Sequence, residues 1–389
     1  MKKRKIMLIA VVSILTFSAL VSAEDKFRFA VFSDSRGSLT TKRCSDDNSG
    51  VSAILPLVRD HLLRINETTP IQLVLFPGDM ITGYFQRDAA STSECNRVQL
   101  AKWREIMEPI LKKRIMIRVT VGNHEAGTFD LSKGDVRCGL NGHRYLPSYQ
   151  NFQVFKDVLG DMLAPDNGPK SDLGLTYSFD LHGCHFVVLS AYTMYENNSF
   201  SNGTMEWLEK DLDSAASRGY KIFVASHPPA FPGGGHTWDS LPFYDPTYAC
   251  SGYSGIDRRK ERDRFWNILR KHGVTAYFCG HEHNTQIQLV EGCWQATIGG
   301  LTSKLYKFNG AIGDVQRNLI LYDGHFQNPK AAVNWPWDET DRKNYWGWAL
   351  VTVEGQNVTM DIYGTDKRPE SVADFNKIKT FTLCGDRVR

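Results

Sequence analysis

The stretch Ile115–Glu125, IMIRVTVGNHE, decides the fold class. An apolar run ends there in a turn that carries a carboxamide, an imidazole and a carboxylate. Its first seven residues are mostly β-branched or apolar and are followed by Gly122, so they predict a short buried strand and then a turn. Asn123, His124 and Glu125 therefore follow the carboxyl end of a strand. In open α/β sheets this is the edge at which ligands bind.

Four other apolar runs end in the same way. They are Phe27–Phe32 before Asp34, Gln72–Phe76 before Asp79, Lys221–Ala225 before His227, and Ala276–Cys279 before His281 and His283. Candidate helices lie between the runs, at Val51–Arg64, Val98–Lys112 and Arg258–Lys271. This alternation predicts an α/β fold in which distant segments meet at one sheet edge.

The polar residues at these strand ends form a set of nitrogen and oxygen ligands. Two carboxylates, one carboxamide and three imidazoles suit Zn, Mn or Fe, and the absence of thiolates argues against a structural zinc site. The set is too large for one ion. Two ions about 3.5–4 Å apart, bridged by Asp79 and a hydroxide, would clamp the attacking and leaving oxygens of a phosphoryl displacement.

The motifs Gly122-Asn123-His124-Glu125 and Gly280-His281-Glu282-His283, with Gly78-Asp79 and a lone His227, resemble the calcineurin-like metallophosphoesterase superfamily. The resemblance covers Phe27 to about Tyr363. It implies a four-layer α/β sandwich, in which helices flank two mixed β-sheets. It also implies that Asp34 and His283 bind one metal, that Asn123, His227 and His281 bind the other, that Asp79 bridges both, and that His124 is the catalytic acid. An acid in this role is expected to have a pKa near the working pH, and the neighbouring Glu125 is expected to orient or stabilise it.

Arg36 departs from the superfamily pattern, which usually has His two residues after the first Asp. Arg36 cannot ligate a metal, because its guanidinium stays protonated and only donates hydrogen bonds. The first metal site would then be held by Asp34, Asp79, His283 and solvent, with a weaker or altered metal preference. Alternatively, Arg36 binds a phosphate oxygen and stabilises its developing charge, or forms a salt bridge with a neighbouring carboxylate.

Purple acid phosphatases, a branch of the same superfamily, also lack that His. They carry a Tyr three residues after the bridging Asp, where this chain has Thr82. The purple iron chromophore is therefore not supported, and the branch stays open.

Substrate contacts are predicted for Arg36, Asn123, Tyr84 and His236. His236 lies in a loop rich in Gly and Pro that follows His227 and is expected to lie over the cleft. Tyr84 and His236 have an equally simple alternative, which is that they pack the loops. The substrate expected from the motifs is a phosphorylated small molecule.

The N-terminus predicts a secretory signal peptide, residues 1–23. Basic residues 2–5 precede the apolar run Ile6–Leu20, and the small residues of Val21–Ala23 favour cleavage after Ala23. A signal anchor is the alternative. Cleavage leaves no stable membrane anchor, predicts a secreted or periplasmic protein, and changes the net charge from +3 to about −1. No basic patch for nucleic acid is implied.

Residues 24–389 are predicted to form a single catalytic domain, because the ligands span Asp34 to His283 without a linker. Loop insertions and a closing β-hairpin, Gly347–Val353 with Val358–Tyr363, complete it. Eight cysteines fit an oxidising compartment. A disulfide between Cys44 and Cys95, or one between Cys138 and Cys250, would tie down the long loops. Cys184 and Cys279 are expected to be buried thiols or to form bridges across a sheet.

Together these features predict metal-dependent hydrolysis of phosphate esters by a metal-bridging hydroxide. Monoesters are favoured, because Arg36 supplies donors for the additional phosphate oxygen. Phosphodiester or nucleotide hydrolysis at the same site is one alternative. The other is a non-catalytic binding protein that kept the scaffold with an impaired first metal site.

Overall fold

The computed structural model of the chain describes residues 26–37, 51–83, 89–129, 145–193, 199–232, 240–241, 244–250, 253–257, 259–305 and 345–384. Its helices are α1 (Ile54–Asn66), α2 (Ala89–Lys112), α3 (Asn123–Ala126), α4 (Tyr149–Leu159), α5 (Asn202–Ser217) and α6 (Arg259–Lys271). Short 3₁₀ turns lie at Gly160–Met162, Lys170–Asp172 and Val372–Asp374.

The strands alternate with the helices along much of the chain. They are β1 (Phe27–Val31), β2 (Leu73–Phe76), β3 (Met116–Val119), β4 (Gly127–Phe129), β5 (Tyr145–Pro147), β6 (Tyr177–Leu181), β7 (Cys184–Val188), β8 (Lys221–Ala225), β9 (Tyr244–Cys250), β10 (Tyr253–Asp257), β11 (Ala276–Cys279), β12 (Thr285–Val290), β13 (Cys293–Ile298), β14 (Trp346–Glu354), β15 (Asn357–Thr365) and β16 (Asn376–Cys384). β4 pairs with β5, and β9 pairs with β10.

Two mixed six-stranded sheets contain the main strands. Sheet one has the order β16-β15-β14-β1-β2-β3, with β1, β2 and β3 parallel and β14 antiparallel to β1. Sheet two has the order β12-β13-β11-β8-β7-β6, with β7, β8, β11 and β13 parallel and antiparallel strands at both edges. Each sheet therefore contains a run of neighbouring parallel strands, at one side of sheet one and in the centre of sheet two, and the carboxyl ends of each run lie at the same end of the sheet.

Aromatic side chains join the two sheets face to face. The ring of Phe29 on β1 lies 5.2 Å from Phe186, 5.0 Å from Phe223 and 5.7 Å from Phe278, measured between centroids, and these three belong to neighbouring strands of sheet two. All four rings are buried. Edge-to-face pairs of this kind add about 0.5–1.5 kcal/mol each to the effect of burial. This packing holds the carboxyl ends of the parallel strands of the two sheets close to one another.

Helices cover the outer faces. Helices α1, α2 and α4 pack together beside sheet one, and α5 packs against β8 and α6. In α1 the buried residues Leu55, Val58 and Leu62 recur every three or four positions, which is the stripe expected of a helix with one apolar face. The predicted sandwich of two mixed sheets flanked by helices is confirmed.

The predicted elements differ from the observed ones mainly at their ends. The strands at 221–225 and 276–279 have the predicted bounds, whereas α2 begins nine residues earlier than predicted, at Ala89 rather than Val98. The predicted C-terminal hairpin is present as β14 and β15, but a third strand, β16, pairs with β15. Residues 376–380 of β16 are all exposed, and Ile378 is the one apolar residue among them, so this half of the edge strand lacks the alternating pattern that marks a half-buried strand.

Several predictions fall on other parts of the chain. The signal segment, residues 1–23, lies outside the described residues, as do Cys44, Cys138 and the side chain of Cys250, so signal cleavage and both disulfide pairings stay predictions. Cys184 and Cys279 are free, buried thiols, as one of the two alternatives held. None of the helices in the described ranges has the length and apolarity needed to cross a bilayer.

One buried carboxylate connects the loops after β2 and β3. Oε2 of Glu125 accepts hydrogen bonds from the backbone N–H of Asp79, at 3.0 Å, and of Gly122, at 2.8 Å. Oε1 accepts from Met80, at 2.8 Å, and from Ile81, at 3.2 Å. Burial raises the pKa of Glu125 to about 8, and the N–H donors oppose this rise because they stabilise the charged form. Two N–H donors on each oxygen are the arrangement that an ionised carboxylate accepts, so the geometry favours that form.

A second ionic cluster joins β6 and β7 to α5. Nδ1 of His185 lies 2.6 Å from Oδ1 of Asp180, and Nε2 lies 2.8 Å from Oδ2 of Asp211. Ser178 and Arg218 also contact these carboxylates. Burial alone lowers the pKa of His185, but the hydrogen bonds to Asp211 and Asp180 outweigh it and raise this pKa above its ordinary value. The geometry therefore selects the imidazolium.

We expect Glu125→Gln to lower the free energy of unfolding by about 2–4 kcal/mol, because a carboxamide turns an N–H₂ group toward backbone N–H donors that would lose their acceptor. Urea unfolding followed by circular dichroism measures the change. Glu206→Gln, on the exposed side of α5, is the matched control and should stay within about 0.5 kcal/mol of the wild type. Equal midpoints for the two variants would contradict the role of the four hydrogen bonds.

We expect the His185 cluster to lose its stabilising contribution as pH rises. A raised folded-state pKa means that the contribution is fully present below the unfolded value of about 6.5 and disappears as pH passes the folded value. Unfolding free energies measured across this range should therefore fall more steeply for the wild type than for His185→Gln. His182→Gln, at an exposed histidine of the β6–β7 turn, should follow the wild type. Parallel profiles for the wild type and His185→Gln would refute the assignment.

Candidate metal centre

The polar residues singled out in the sequence follow the carboxyl ends of parallel strands. Asp34 follows β1, Asp79 follows β2, and Asn123 and His124 follow β3 in sheet one, whereas the histidines at 227, 281 and 283 follow β8 and β11 in sheet two. All are buried. The face-to-face packing of the sheets brings these two sets of loops together, as the strand-end pattern predicted.

Four of these residues have backbone conformations that are rare for side chains with a Cβ. The φ angles are +60° at Asp34, +56° at Asp79, +71° at His281 and +47° at His283. Left-handed conformations of non-glycine residues cost free energy and cluster at functional sites, where neighbouring contacts hold them. For Asp79, the contact that holds the turn is the bond from its own N–H to Glu125.

The first donor group consists of Asp79, Asn123, His227 and His281. Nε2 of His227 lies 3.1 Å from Oδ1 of Asn123, 3.1 Å from Nδ1 of His281 and 3.3 Å from Oδ1 of Asp79. Ligands about 2.1 Å from a tetrahedral ion lie about 3.4 Å apart, so the spacing fits one ion. Nδ1 of His227 lies 2.7 Å from the carbonyl of Pro77, which fixes its proton there and leaves the Nε2 lone pair for a metal.

The second donor group consists of Asp34, Asp79 and His283, so the two groups share Asp79. Their ligand atoms lie within 4.8 Å of one another. Nε2 of His283 is 3.6 Å from Oδ1 of Asp34. Asp34 is fixed by the N–H of His281, 3.0 Å from each carboxylate oxygen, and by the Ser33 hydroxyl at 2.5 Å. This arrangement fits the predicted bridging position of Asp79.

Two glycines allow the carboxylates to approach the backbone. A Cβ on Gly122 would lie 2.2 Å from Oδ1 of Asp79, and a Cβ on Gly280 would lie 2.2 Å from Oδ2 of Asp34. Real Cβ atoms do not come this close to other heavy atoms. Glycine at these two motif positions is therefore required by the placement of the ligands, independently of turn geometry.

The electrostatics of the cluster favour a bound cation. Burial raises the pKa of Asp34 to about 7, although His227 opposes this. Burial alone lowers the pKa of His227, but Asp79 and Asp34 outweigh it and raise this pKa to about 9. Burial alone raises the pKa of Asp79, yet the charges of His124 and His227 hold it below its ordinary value. The cluster therefore retains protons that a metal ion would displace.

His124 lies beside the shared carboxylate. Its Nδ1 is 2.5 Å from the carbonyl oxygen of Thr82, so Nδ1 carries a proton, and its Nε2 is 3.7 Å from Oδ2 of Asp79. Burial lowers the pKa of His124 to about 3, with Asp79 acting in the opposite direction. The sequence had predicted a value near the working pH. The difference arises because a buried imidazolium lacks the hydration that stabilises it in water.

Arg36 lies against the second donor group. It is 6% exposed, and its backbone forms an isolated bridge with Val51. Its Nε lies 3.1 Å from Nε2 of His283, and its Nη2 lies 3.3 Å from Nδ1 of the same ring. The sequence did not predict this imidazole contact, because the pattern around Arg36 gives no sign of His283, which is 247 residues away.

Two predicted substrate contacts fall outside the described residues, and the supporting contacts of two other residues were not predicted. Tyr84 and His236 lie outside the described residues, so their substrate contacts stay predictions. Glu125 was expected to orient His124, but it binds the backbone of the loops after β2 and β3. Ser33 was not singled out, since a serine before an aspartate is common in turns and carries no specific signal.

A family model described as calcineurin-like phosphoesterase matches residues 27–285. Among curated proteins, purple acid phosphatase 13 of Arabidopsis thaliana is 37% identical over 141 residues, which is 36% of this chain and 22% of that protein. Purple acid phosphatase 23 of the same plant is 26% identical over 182 residues, 46% of this chain and 31% of the relative. The matched segment thus spans less than a third of either relative.

Solved structures share the fold. The purple acid phosphatase PPD1 from yellow lupin (Lupinus luteus) seeds gives a TM-score of 0.56 at 14% identity, covering 92% of this chain and 54% of that one. A dimetal phosphatase from Danio rerio gives 0.50 at 14% identity, covering 92% and 98%. GAP50, the anchor in the inner membrane complex of Plasmodium, gives 0.50 at 10% identity, covering 92% and 89%. With the family model matching most of the sequence, the chain belongs to the calcineurin-like phosphoesterase family.

Proposed function

We propose that this protein hydrolyses phosphate esters with the help of bound metal ions, and that phosphomonoesters of small molecules are its substrates. The observation that carries the proposal is the pair of buried donor groups that share Asp79. Two adjacent cation positions suit a displacement in which both the attacking and the leaving oxygen need stabilisation. We further propose that residues 24–389 form one catalytic domain, exported by the predicted signal segment.

The donor set fits transition metals. Asp79, Asn123, His227 and His281 would hold one ion, and Asp34 and His283 contribute with Asp79 to the second position. Mixed imidazole, carboxylate and carboxamide ligands suit Zn, Mn or Fe. When bound, such ions supply Lewis acidity toward the phosphate and lower the pKa of coordinated water.

The protein's own groups supply proton transfer and phosphate binding. Nε2 of His124 is the nitrogen that exchanges a proton, because Nδ1 is bound to the carbonyl of Thr82. We assign to Nε2 the protonation of the leaving oxygen. A phosphate group beside the ring would raise its pKa from about 3 by stabilising the imidazolium. We assign to Arg36 and Asn123 hydrogen bonds to the phosphate oxygens, which favours a monoester with its third free oxygen.

The relatives support phosphoester chemistry at the level of the family. The two Arabidopsis proteins are named purple acid phosphatases, and the zebrafish structure is titled a dimetal phosphatase. Monoester preference and export are our own proposals, with the signal-like N-terminus supporting the second. Tyr84 and His236 are proposed substrate contacts.

Two other functions use the same residues. A phosphodiesterase or nucleotide hydrolase would need the same metal positions with a different leaving-group pocket. A non-catalytic binding protein is favoured by Arg36 alone, and GAP50 is a relative in fold whose title names it an anchor. The presence of all six candidate metal ligands and of His124 favours catalysis.

We expect Asp79→Asn to lower phosphatase activity by about 10²–10³-fold or more, because the variant loses the charge common to both metal positions. Turnover of 4-nitrophenyl phosphate and bis(4-nitrophenyl) phosphate, with added Mn, Zn or Fe, measures the effect and the ester preference. Removing metal with a chelator should abolish wild-type activity, and adding it back should restore it. Asp157→Asn, at an exposed position of α4, is the control. Unchanged activity in Asp79→Asn would reject the mechanism.

We expect His124→Asn to act selectively on poor leaving groups. Protonation matters most for an alkoxide, so hydrolysis of an alkyl phosphate should fall about 10²–10⁴-fold, with a much smaller effect on 4-nitrophenyl phosphate. Comparing kcat for both substrates tests this, with His182→Asn as the matched control. An equal loss on both substrates would show that His124 positions the substrate or the metals and is not the acid.

A further inference from the structure

The two donor groups differ in one respect. In the second group, the guanidinium of Arg36 lies against the ligand histidine, His283. In the group around His227, the ligand atoms converge at 3.1–3.3 Å and face one another. In the group of Asp34, Asp79 and His283, the guanidinium of Arg36 contacts the histidine at 3.1 Å. The two positions therefore offer unequal sites for a metal ion.

The contact occupies the nitrogen that a metal would need. Nε2 is the ring atom of His283 that lies 3.6 Å from Asp34, so it faces the donor group. Arg36 donates its Nε–H to that same nitrogen. An imidazole nitrogen has a single lone pair, which cannot serve a hydrogen bond and a metal at the same time. With Arg36 in place, this group retains only its two carboxylates as ligands.

Charge acts in the same direction. The guanidinium is positive at every accessible pH, and it is buried, so its repulsion of a nearby divalent ion is weakly screened. It is also close enough to Asp79 to interact with the charge of that carboxylate. Arg36 therefore already supplies part of the positive charge that the buried Asp79 requires.

We propose that Arg36 takes the place of the second metal ion, so that the protein holds one tightly bound ion, at Asp79, Asn123, His227 and His281. This inference rests on the proposed metal-dependent function and deepens it. The guanidinium offers five N–H donors in a planar fork and can bind two phosphate oxygens at once. The guanidinium would thus offset the negative charge of the phosphate at the position where a two-metal enzyme binds its second ion.

The test is a metal count on the purified full chain. The wild type, Arg36→His and Arg36→Met are stripped with a chelator, titrated with Mn²⁺ in a calorimeter, and analysed for bound metal after desalting. The wild type should retain one equivalent. Arg36→His removes the charge and adds a ligand, so it should retain two, with the second bound at least about tenfold more tightly than by the wild type.

Electron paramagnetic resonance of bound Mn²⁺ gives a second readout that does not depend on activity. An isolated ion is expected in the wild type, and a spin-coupled pair in Arg36→His. Arg59→His, at a partly exposed arginine of α1, is the matched control and should bind as the wild type does. Arg36→Met removes the charge without adding a ligand, so its second equivalent should bind with intermediate affinity.

Each outcome separates this inference from the proposed function. Two tight equivalents in the wild type, or one equivalent in a folded Arg36→His, would overturn the role of Arg36 and leave metal-dependent hydrolysis intact. No bound metal in the wild type would overturn the proposed function and this inference with it. If Arg36→His does not fold, the wild-type count and spectrum, compared with Arg36→Met, still decide.

Discussion

The carboxylate of Glu125 is the constraint on which the rest of the site depends. It accepts hydrogen bonds from the backbone of Asp79, Met80, Ile81 and Gly122, and so fixes the loop after β2 to the loop after β3. These bonds hold Asp79 in a left-handed conformation that the residue would otherwise leave. A neutral side chain could not satisfy four donors at once. This buried carboxylate therefore shapes the backbone, and the neighbouring carboxylate of Asp79 remains available for a cation.

Groups that carry or can accept a positive charge surround Asp79. Histidines from sheet two approach one side of it, His124 lies near its second oxygen, and Arg36 acts on it from the region of His283. Two carboxylates buried this deeply are stable only with compensating positive charge. Metal ions, protons and a guanidinium all provide such charge, and they compete for the same places. This competition gives the centre its unequal positions, and it links metal binding to the release of protons.

The sequence predicted a large share of this centre, for a local reason. Each candidate ligand lies within four residues of a strand end, and strand ends are marked by the change from apolar runs to turn residues, so 34, 79, 123, 227, 281 and 283 could be picked out. Supporting contacts escaped prediction because they are made between loops. Glu125 was expected to serve its neighbour His124, and the edge strand β16 was missed since its exposed residues show no alternation.

By itself, the sequence determined the order of strands and helices, the residue types at the metal centre and the departure at Arg36. Short-range periodicity and the chemistry of individual side chains carry that information. Only the tertiary structure decided that Nδ1 of His227 and of His124 carry the protons, that Glu125 binds the backbone of two loops, and that Arg36 meets His283. Those facts depend on distances between residues far apart in the chain, which are set when the two sheets pack together.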